Sequence, residues 1–477
     1  MNHPMISRLI CFCGMIAFAG CGQEEKEVET DPSGNPLFAD LPPVSSQALV
    51  PPSAAPEGAP LFEKLVASEI GIDFAHLWKP RNQFDELMQK TGFTGGGTAL
   101  GDYDGDGNCD LLFTRPHGGA RLYRNLGGFR FEDATTSAGI DTGHSWTTGA
   151  SFNDINNDGH LDLFICAYDS DNHLFLNRGD GTFENVTESA GLKFNGANVK
   201  MAFADIDNDG DLDGYLVTNR LEPIGNPKID YLGSKGNYTV AEHHRELASV
   251  INLPNGEQKF TKAGQYDHLF RNELNETGEL RFTDISKESG IDGPDHGLDA
   301  TWWDYDNDGD PDLYVSNDFT DPDKFYRNKG DGTFENIVGE ALPHTPWFTM
   351  GSAAGDLNND GLLDLVAADM SATTHYREKV SMGAMDAVAW FLDTAEPRQY
   401  MRNAIYLNTG TDRFMEIAHL TGLASSNWTW SIKINDLDGD GRQDVFATNG
   451  FPFDYLNSDV ANELAKSGNA TNPAAWR

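Results

Sequence analysis

Short apolar runs, three to five residues long, alternate along most of this chain with clusters of Asp, Asn and Gly. Ala99-Leu100, residues 150–152, residues 201–204 and Trp302-Trp303 each precede such a cluster. Each cluster is followed by another apolar stretch, such as Asp110-Leu111-Leu112-Phe113 or Asp312-Leu313-Tyr314-Val315. Runs this short predict strands buried on both faces rather than helices. A second pair of runs flanks an Asp-Gly turn, in Asn177-x-Gly179-Asp180-Gly181-Thr182-Phe183 and again in Asn328-x-Gly330-Asp331-Gly332-Thr333-Phe334. Looser versions lie in 122–140, 268–291 and 404–423. The Asp-Gly step reads as a hairpin whose central residues must tolerate positive φ. Each unit is therefore predicted as strand, acidic loop, strand, connection, strand, Asp-Gly turn, strand.

The acidic loop recurs six times, starting at Asp102, Asp154, Asp205, Asp304, Asp356 and Asp436, with steps of 52, 51, 99, 52 and 80 residues. Four strands in each repeat, with apolar faces that need neighbours, define an all-β fold, a β-propeller of six blades counted from the loops. A linear β-solenoid has a far shorter repeat. Residues 61–72 resemble the end of a unit with no loop before it, and the last loop has no such end after it. An N-terminal strand that completes the last blade would close the ring and remove an exposed sheet edge. The propeller is thus expected over 61–457. Two long steps mark inserts at 220–265 and 371–403, the first irregular with a short helix, the second with a helix around 381–392. Inserts between strands project from a propeller face, where ligands are commonly met.

Loop positions 1, 3, 5 and 9 converge on one point because Gly at position 6 permits a sharp turn. The candidate ligands are Asp102, Asp104, Asp106 and Asp110; Asp154, Asn156, Asp158 and Asp162; Asp205, Asp207, Asp209 and Asp213; Asp304, Asp306, Asp308 and Asp312; Asp356, Asn358, Asp360 and Asp364; Asp436, Asp438, Asp440 and Asp444. Twenty-two of these 24 positions are Asp. Oxygen-only ligation selects a hard cation, and the excess of carboxylates over water favours Ca2+ above Mg2+. About six structural calcium ions are expected. An EF-hand is excluded, since position 12 is Phe113, Ile165, Leu216, Val315, Ala367 or Ala447 instead of Glu. A solvated acidic turn explains one such loop but not six in register. Carboxylates about 4 Å apart repel by about 1 kcal/mol even in water, so each loop calls for a cation.

The whole chain of 477 residues carries 74 acidic against 34 basic side chains, a net charge of −40. That balance excludes a nucleic-acid partner. With 39% hydrophobic residues the chain can nonetheless bury a core. The N-terminus holds a short apolar stretch, Leu9 to Ala19, after Arg8, which reads as an export signal over residues 1–20. It ends in Ala19-Gly20-Cys21, which resembles the bacterial lipobox, and this resemblance implies acylation of Cys21. Gly22 after it would favour the outer membrane or cell surface. Residues 21–60, acidic and rich in Pro, read as a solvated tether. Cys109 and Cys166 read as small buried hydrophobes rather than a disulfide. Residues 458–468 form a capped helix ending at Gly468, within a tail that runs to 477.

The six loops and their Asn-x-Gly-Asp-Gly-Thr-Phe companions resemble the FG-GAP/VCBS repeat family, in its cartilage-acidic-protein-like branch, over about residues 60–450. The resemblance implies a calcium-binding propeller like that of the integrin α-chain, usually seven-bladed. Its relatives often continue into a further repeat and a C-terminal domain, whereas this sequence stops at Arg477, so six and seven blades both stay open. No G-x-S-x-G, H-E-x-x-H or C-x-x-C outside the signal occurs. His243-His244 is no metal motif by itself, since adjacent helical residues diverge. The reading is a non-enzymatic envelope propeller that binds a protein or polysaccharide partner through its loop face, touching a membrane only through its lipid. The alternative is a calcium-dependent polysaccharide lyase acting on an anionic polymer, with Arg377, Lys379 and Arg402 as candidate bases.

Overall fold

Each repeat folds as an antiparallel meander, because its short apolar runs bury both faces while Gly and Asn between them reverse the chain. The computed structural model describes residues 62–76, 95–221, 227–253, 255–291, 293–380, 390, 395–450 and 457–468. The chain divides into two units, Met1–Ser53 and Ala54–Arg477, and every described residue belongs to the second. The signal, Cys21, the tether and most of the helix expected over 381–392 lie outside the described residues.

The first sheet comprises Thr98–Gly101, Asp110–Phe113, Arg121–Asn125 and Phe131–Asp133, each strand paired to the next. The second comprises Trp146–Asn153, Asp162–Asp171, His173–Asn177 and Phe183–Asn185. Asn195–Ala204, Asp213–Thr218, His268–Asn272 and Phe282–Asp284 form the third, which is continuous with the second where Asn195–Ala197 pairs with Tyr168–Asp171. Gly297–Trp303, Asp312–Asn317, Lys324–Asn328 and Phe334–Asn336 form the fourth. The fifth holds Gly351–Gly355, Asp364–Ala368, Ala404–Leu407 and Met415–Glu416. In the sixth, Asn427–Asn435 pairs with Asp444–Asn449.

The first strands of successive sheets lie side by side in chain order, as the inner strands of a propeller-like all-β fold do. They approach so closely that a Cβ on Gly149 would meet Val199 O at 2.3 Å. Lys200 Nζ reaches Asp299 Oδ1 at 2.5 Å, and Asp299 Oδ2 accepts from Ser352 N at 3.0 Å, which ties three inner strands together. Five separate apolar cores fill the five joints between consecutive sheets. The joint between first and second sheets, for example, packs Leu112, Leu122 and Ile140 against Leu163, Phe175 and Phe183.

Alternate side chains of the second strands face the following sheet. Leu112, Phe164, Tyr215, Tyr314 and Val366 do so with at most 3% exposure, while Phe446 in the sixth sheet keeps 44%. At the other end, Leu100 on the first inner strand is 63% exposed. The segment 62–76 lies at this seam. Phe62 meets the Phe446 ring at 6.0 Å, Phe74 stacks on Phe113 at 5.0 Å, and Tyr123 Oη donates to Asp73 at 2.7 Å.

The segment corrects the expected closing strand. Its described residues contain a single 3-10 turn, Ala67–Glu69, and no strand. It acts instead as the expected unit end. Ile70 O accepts from Phe131 N at 2.8 Å, just as Ala138 O accepts from Phe183 N and Ala190 O from Phe282 N. The Asp-Gly turn is also corrected. Arg178 N donates to Thr182 O, and the positive φ values fall on Gly179 and Gly181, on either side of Asp180. Asp180 instead accepts from Thr182 N at 3.0 Å, an Asx turn rather than a two-residue hairpin.

Cys166 is buried as expected, Cys109 is exposed, and the two are unpaired. The C-terminal helix runs Ser458–Lys466, capped by Asn457 Oδ1, which accepts from Asp459 N and Val460 N. The second insert forms a helix at His375–Val380, ahead of the expected position.

Candidate metal centres on the loop face

All six acidic loops share one backbone plan. The first Asp accepts from the N–H groups of positions 5 and 6: Asp102 from Asp106 and Gly107 at 3.1 and 2.8 Å, Asp154 from Asp158 and Gly159 at 3.0 and 2.9 Å. The same pair recurs at Asp205, Asp304, Asp356 and Asp436. Position 6 is Gly with φ between 84° and 94°, as expected. Position 4 is left-handed as well, which is why it is occupied only by Gly105, Gly439 or an Asn (157, 208, 307 and 359). Three of those Asn side chains join neighbouring loops: Asn157 Nδ2 donates to Gly210 O at 2.8 Å, Asn208 Nδ2 to Asp310 Oδ1 at 2.7 Å and Asn359 Nδ2 to Gly441 O at 3.2 Å. The loops therefore gather on one face.

Single carboxylate oxygens of Asp102, Asp104 and Asp110 lie within 4.8 Å of one another. So do those of Asp205, Asp207 and Asp213, and those of Asp304, Asp306 and Asp308. In the second and fifth loops the position-3 residues Asn156 and Asn358 reduce the charge, and each donates to the position-5 Asp at 2.9 Å. The all-oxygen donor set fits a hard cation, which would neutralise charge that the protein itself leaves largely unpaired. Burial pushes Asp213 and Asp312 up to about 8, and Asp110 and Asp162 up to about 6.

Position 9 does more than offer a ligand. Asp312 Oδ2 accepts from Tyr305 N at 3.2 Å and Oδ1 from Asn328 N at 2.8 Å. Asp110, Asp162, Asp213 and Asp364 make the equivalent pair. This aspartate thus clasps its loop to the end of the third strand. The Asn at that strand end in turn reaches the preceding sheet: Asn177 to Tyr103 O at 2.7 Å, Asn272 to Ile155 O at 3.3 Å, Asn328 to Ile206 O at 2.8 Å, Asn408 to Tyr305 O at 2.7 Å. Asn125 in the first sheet bonds within its own unit, to Cys109 O. Sequence reasoning marked this Asn only as part of a turn, although its place two residues before Gly in four of the five units, all but Asn272, was the visible signal.

Two further charged residues escaped the sequence reading. Arg124 Nε lies 2.5 Å from Asp104 and Nη2 3.5 Å from Asp106, so the first loop already has a cation against it. Glu276, from the third sheet, lies with Asp207 and Asp209 within 4.8 Å.

The inserts occupy the connections between second and third strands, at the end of the sheets opposite the acidic loops. In the first insert Asp230 gathers His243 and His244: its Oδ2 is 3.2 Å from His243 Nε2, and its N–H donates to His244 Nδ1 at 3.0 Å. That N–H bond takes up the Nδ1 lone pair, so the cluster anchors the insert. Arg402, a candidate base, is held by Glu416 at 2.9 Å and donates to His344 at 2.6 Å. Among the described residues no helix is long and apolar enough to cross a membrane.

The FG-GAP-like repeat family matches residues 102–165, 154–216, 304–367 and 383–447, together just over half of the chain. The chain belongs to that family, and its repeats build the propeller-like sheets described above. Human cartilage acidic protein 1 is 28% identical over 127 residues, which covers 26% of this chain and 19% of that protein. Among solved structures, an Agrocybe aegerita lectin specific for non-reducing terminal N-acetylglucosamine aligns over 75% of this chain and 71% of its own, with 15% identity and a TM-score of 0.33. The biofilm matrix protein Bap1 of V. cholerae aligns over 60% of this chain and 36% of its own, with 14% identity and a TM-score of 0.30.

Proposed function

We propose that this protein is a calcium-stabilised propeller of the cell envelope that binds a protein or polysaccharide partner without catalysing a reaction. The observation that carries this reading is a division of labour between the two faces. The six acidic loops, start of the second strand in every sheet, occupy one face. Both inserts, between Asp213–Thr218 and His268–Asn272 and between Asp364–Ala368 and Ala404–Leu407, leave from the other.

In this reading Ca2+ neutralises the loop carboxylates, and the protein's own Asp, Asn and Gly residues preshape the cages. Free calcium at ten times Kd contributes about 1.4 kcal/mol per site, or about 8 kcal/mol over six independent sites, comparable to the whole stability of a domain. Residues 61–457 form the ring, with six acidic blades and the seam between sixth and first sheets bridged by the 62–76 segment. Residues 1–20 direct export, Cys21 carries the lipid, and 21–60 hold the propeller away from an outer-membrane or cell-surface anchor. The ion pair of Arg402 with Glu416 argues against Arg402 as the base of a lyase.

The test is binding of the purified protein to glycan arrays and to envelope extracts. A variant whose first insert, residues 227–261, is replaced by a short turn should keep the melting temperature in calcium and lose its partner. Conversion of uronic-acid polymers to unsaturated product would contradict the proposal. So would full partner binding by the insert-less variant together with one lacking the second insert.

A further inference from the structure

We propose that the third acidic loop holds a second divalent cation, at a position formed by Asp207, Asp209, Asp211 and Glu276. The inference rests on the reading that the loops bind calcium, and it adds Asp211 and Glu276, which lie outside the repeated ligand pattern, to Asp207 and Asp209, which belong to it.

Two sets of carboxylates meet at this loop. Asp205, Asp207 and Asp213 bring oxygens within 4.8 Å of one another, and so do Asp207, Asp209 and Glu276. The sets share only Asp207. A carboxylate common to two triads has one oxygen to offer each of two cations.

Glu276 arrives there through a departure from the repeat. The third and fourth strands of the third sheet are joined by a helical turn, Leu274–Thr277, which Gly278 ends at φ 76°. Asn275 docks the turn on the loop: its N–H donates to Asp211 Oδ2 at 2.9 Å and its Nδ2 to Asp209 O at 2.9 Å.

Independent support comes from unsatisfied buried oxygens. Asp211 is 1% exposed, and its Oδ1 has no hydrogen-bond partner; Asp209 Oδ2 is likewise buried and unpartnered. Asp211 lies close enough to Asp209, Glu276 and Asp207 for their charges to act on it directly. A desolvated carboxylate oxygen with no donor is costly unless a cation meets it. Arg271 holds Glu273 through Nη2 at 3.0 Å and lies near enough to Glu276 and Asp207 to offset part of their charge, yet it leaves Asp211 Oδ1 and Asp209 Oδ2 without a donor. At the corresponding position of the fourth loop, Asp310 takes a bond from Asn208 Nδ2 at 2.7 Å, so that acid is already satisfied. All donors are oxygens, which suits Ca2+ or Mg2+.

Native mass spectrometry of the full chain titrated with Ca2+, checked by elemental analysis, decides the matter. Glu276→Gln and, separately, Asp211→Asn should each bind one equivalent less than the wild type. Glu279→Gln, an exposed neighbour past the turn, should match the wild type. An unchanged equivalent count in both Glu276→Gln and Asp211→Asn overturns the second position. Weaker binding at an unchanged count also overturns it, by making Glu276 an extra ligand of a single ion. A wild type that retains no calcium refutes the loop reading itself, a result distinct from either.

Discussion

The Asn that ends each third strand offers a quantitative test of how the sheets are joined. Asn328 is 1% exposed. Its Nδ2 donates to Ile206 O of the preceding sheet at 2.8 Å and to Pro311 O at 3.3 Å, and its Oδ1 accepts from Gly330 N at 3.0 Å. Asn328→Ala removes all three bonds and leaves the Ile206 carbonyl buried without a donor. Three bonds at about 1 kcal/mol each, plus about 1 kcal/mol for the orphaned carbonyl, give a loss of about 4 kcal/mol. Asn125 holds the same place in the first sheet but bonds only Cys109 O and Gly127 N, both near solvent. Asn125→Ala should therefore cost about 1 kcal/mol. Asn328→Asp keeps the acceptor and sets an oxygen against the Ile206 carbonyl, so it should be at least as damaging as Ala. Urea unfolding in calcium buffer, compared at equal m-value, reads all three. Equal losses for Asn328→Ala and Asn125→Ala would refute the claim that this residue joins neighbouring sheets.

Burial lifts Asp369 to about 8, far above its value in the unfolded chain, while its Oδ2 accepts from Trp347 N at 2.8 Å. The folded state then holds the proton more tightly. Its stabilisation is complete below about pH 4 and is lost as pH rises through about 8. Asp369→Asn should accordingly gain on the wild type between pH 5 and pH 9 in denaturant titrations, and an identical difference at both pH values would contradict this. A Cβ on Gly264 would sit 1.5 Å from Asp295 O, so Gly264→Ala should cost more than about 3 kcal/mol or prevent folding. Gly339→Ala, with open space around it, should stay within about 0.5 kcal/mol, and comparable melting of the two variants would sink the distinction. Asp205→Ala should lower the melting temperature by less than complete chelation does, because five loops remain; a drop equal to that in EDTA would show the sites to be strongly interdependent.

The strands and loops were legible because their signals are local. Alternation of apolar runs with Gly and Asn fixes the meander, and a left-handed position 6 demands Gly wherever the loop occurs. The candidate ligands followed from the same spacing, and the structure clusters ten of them in three loops by oxygen distance. What stayed hidden depends on contacts between units. The reach of Asn408 to Tyr305 O spans 103 residues, so no local pattern reveals it. Glu276 is 67 positions beyond Asp209 and enters through a helical turn where the repeat has a glycine turn elsewhere. Arg124 is one of several strand-end arginines, and nothing in its neighbours marks its carboxylate partners. Residues 61–72 were read as a unit end, and Ile70 O accepts from Phe131 N as the other unit ends do from their neighbours, but the closing strand expected there is a 3-10 turn, Ala67–Glu69.

Calcium content bears most directly on the central claim, that the repeated carboxylate loops are cation cages. Purified full-length protein, dialysed against millimolar CaCl2 and then analysed by elemental mass spectrometry, should carry six or more calcium ions per chain. Fewer than two would contradict the account.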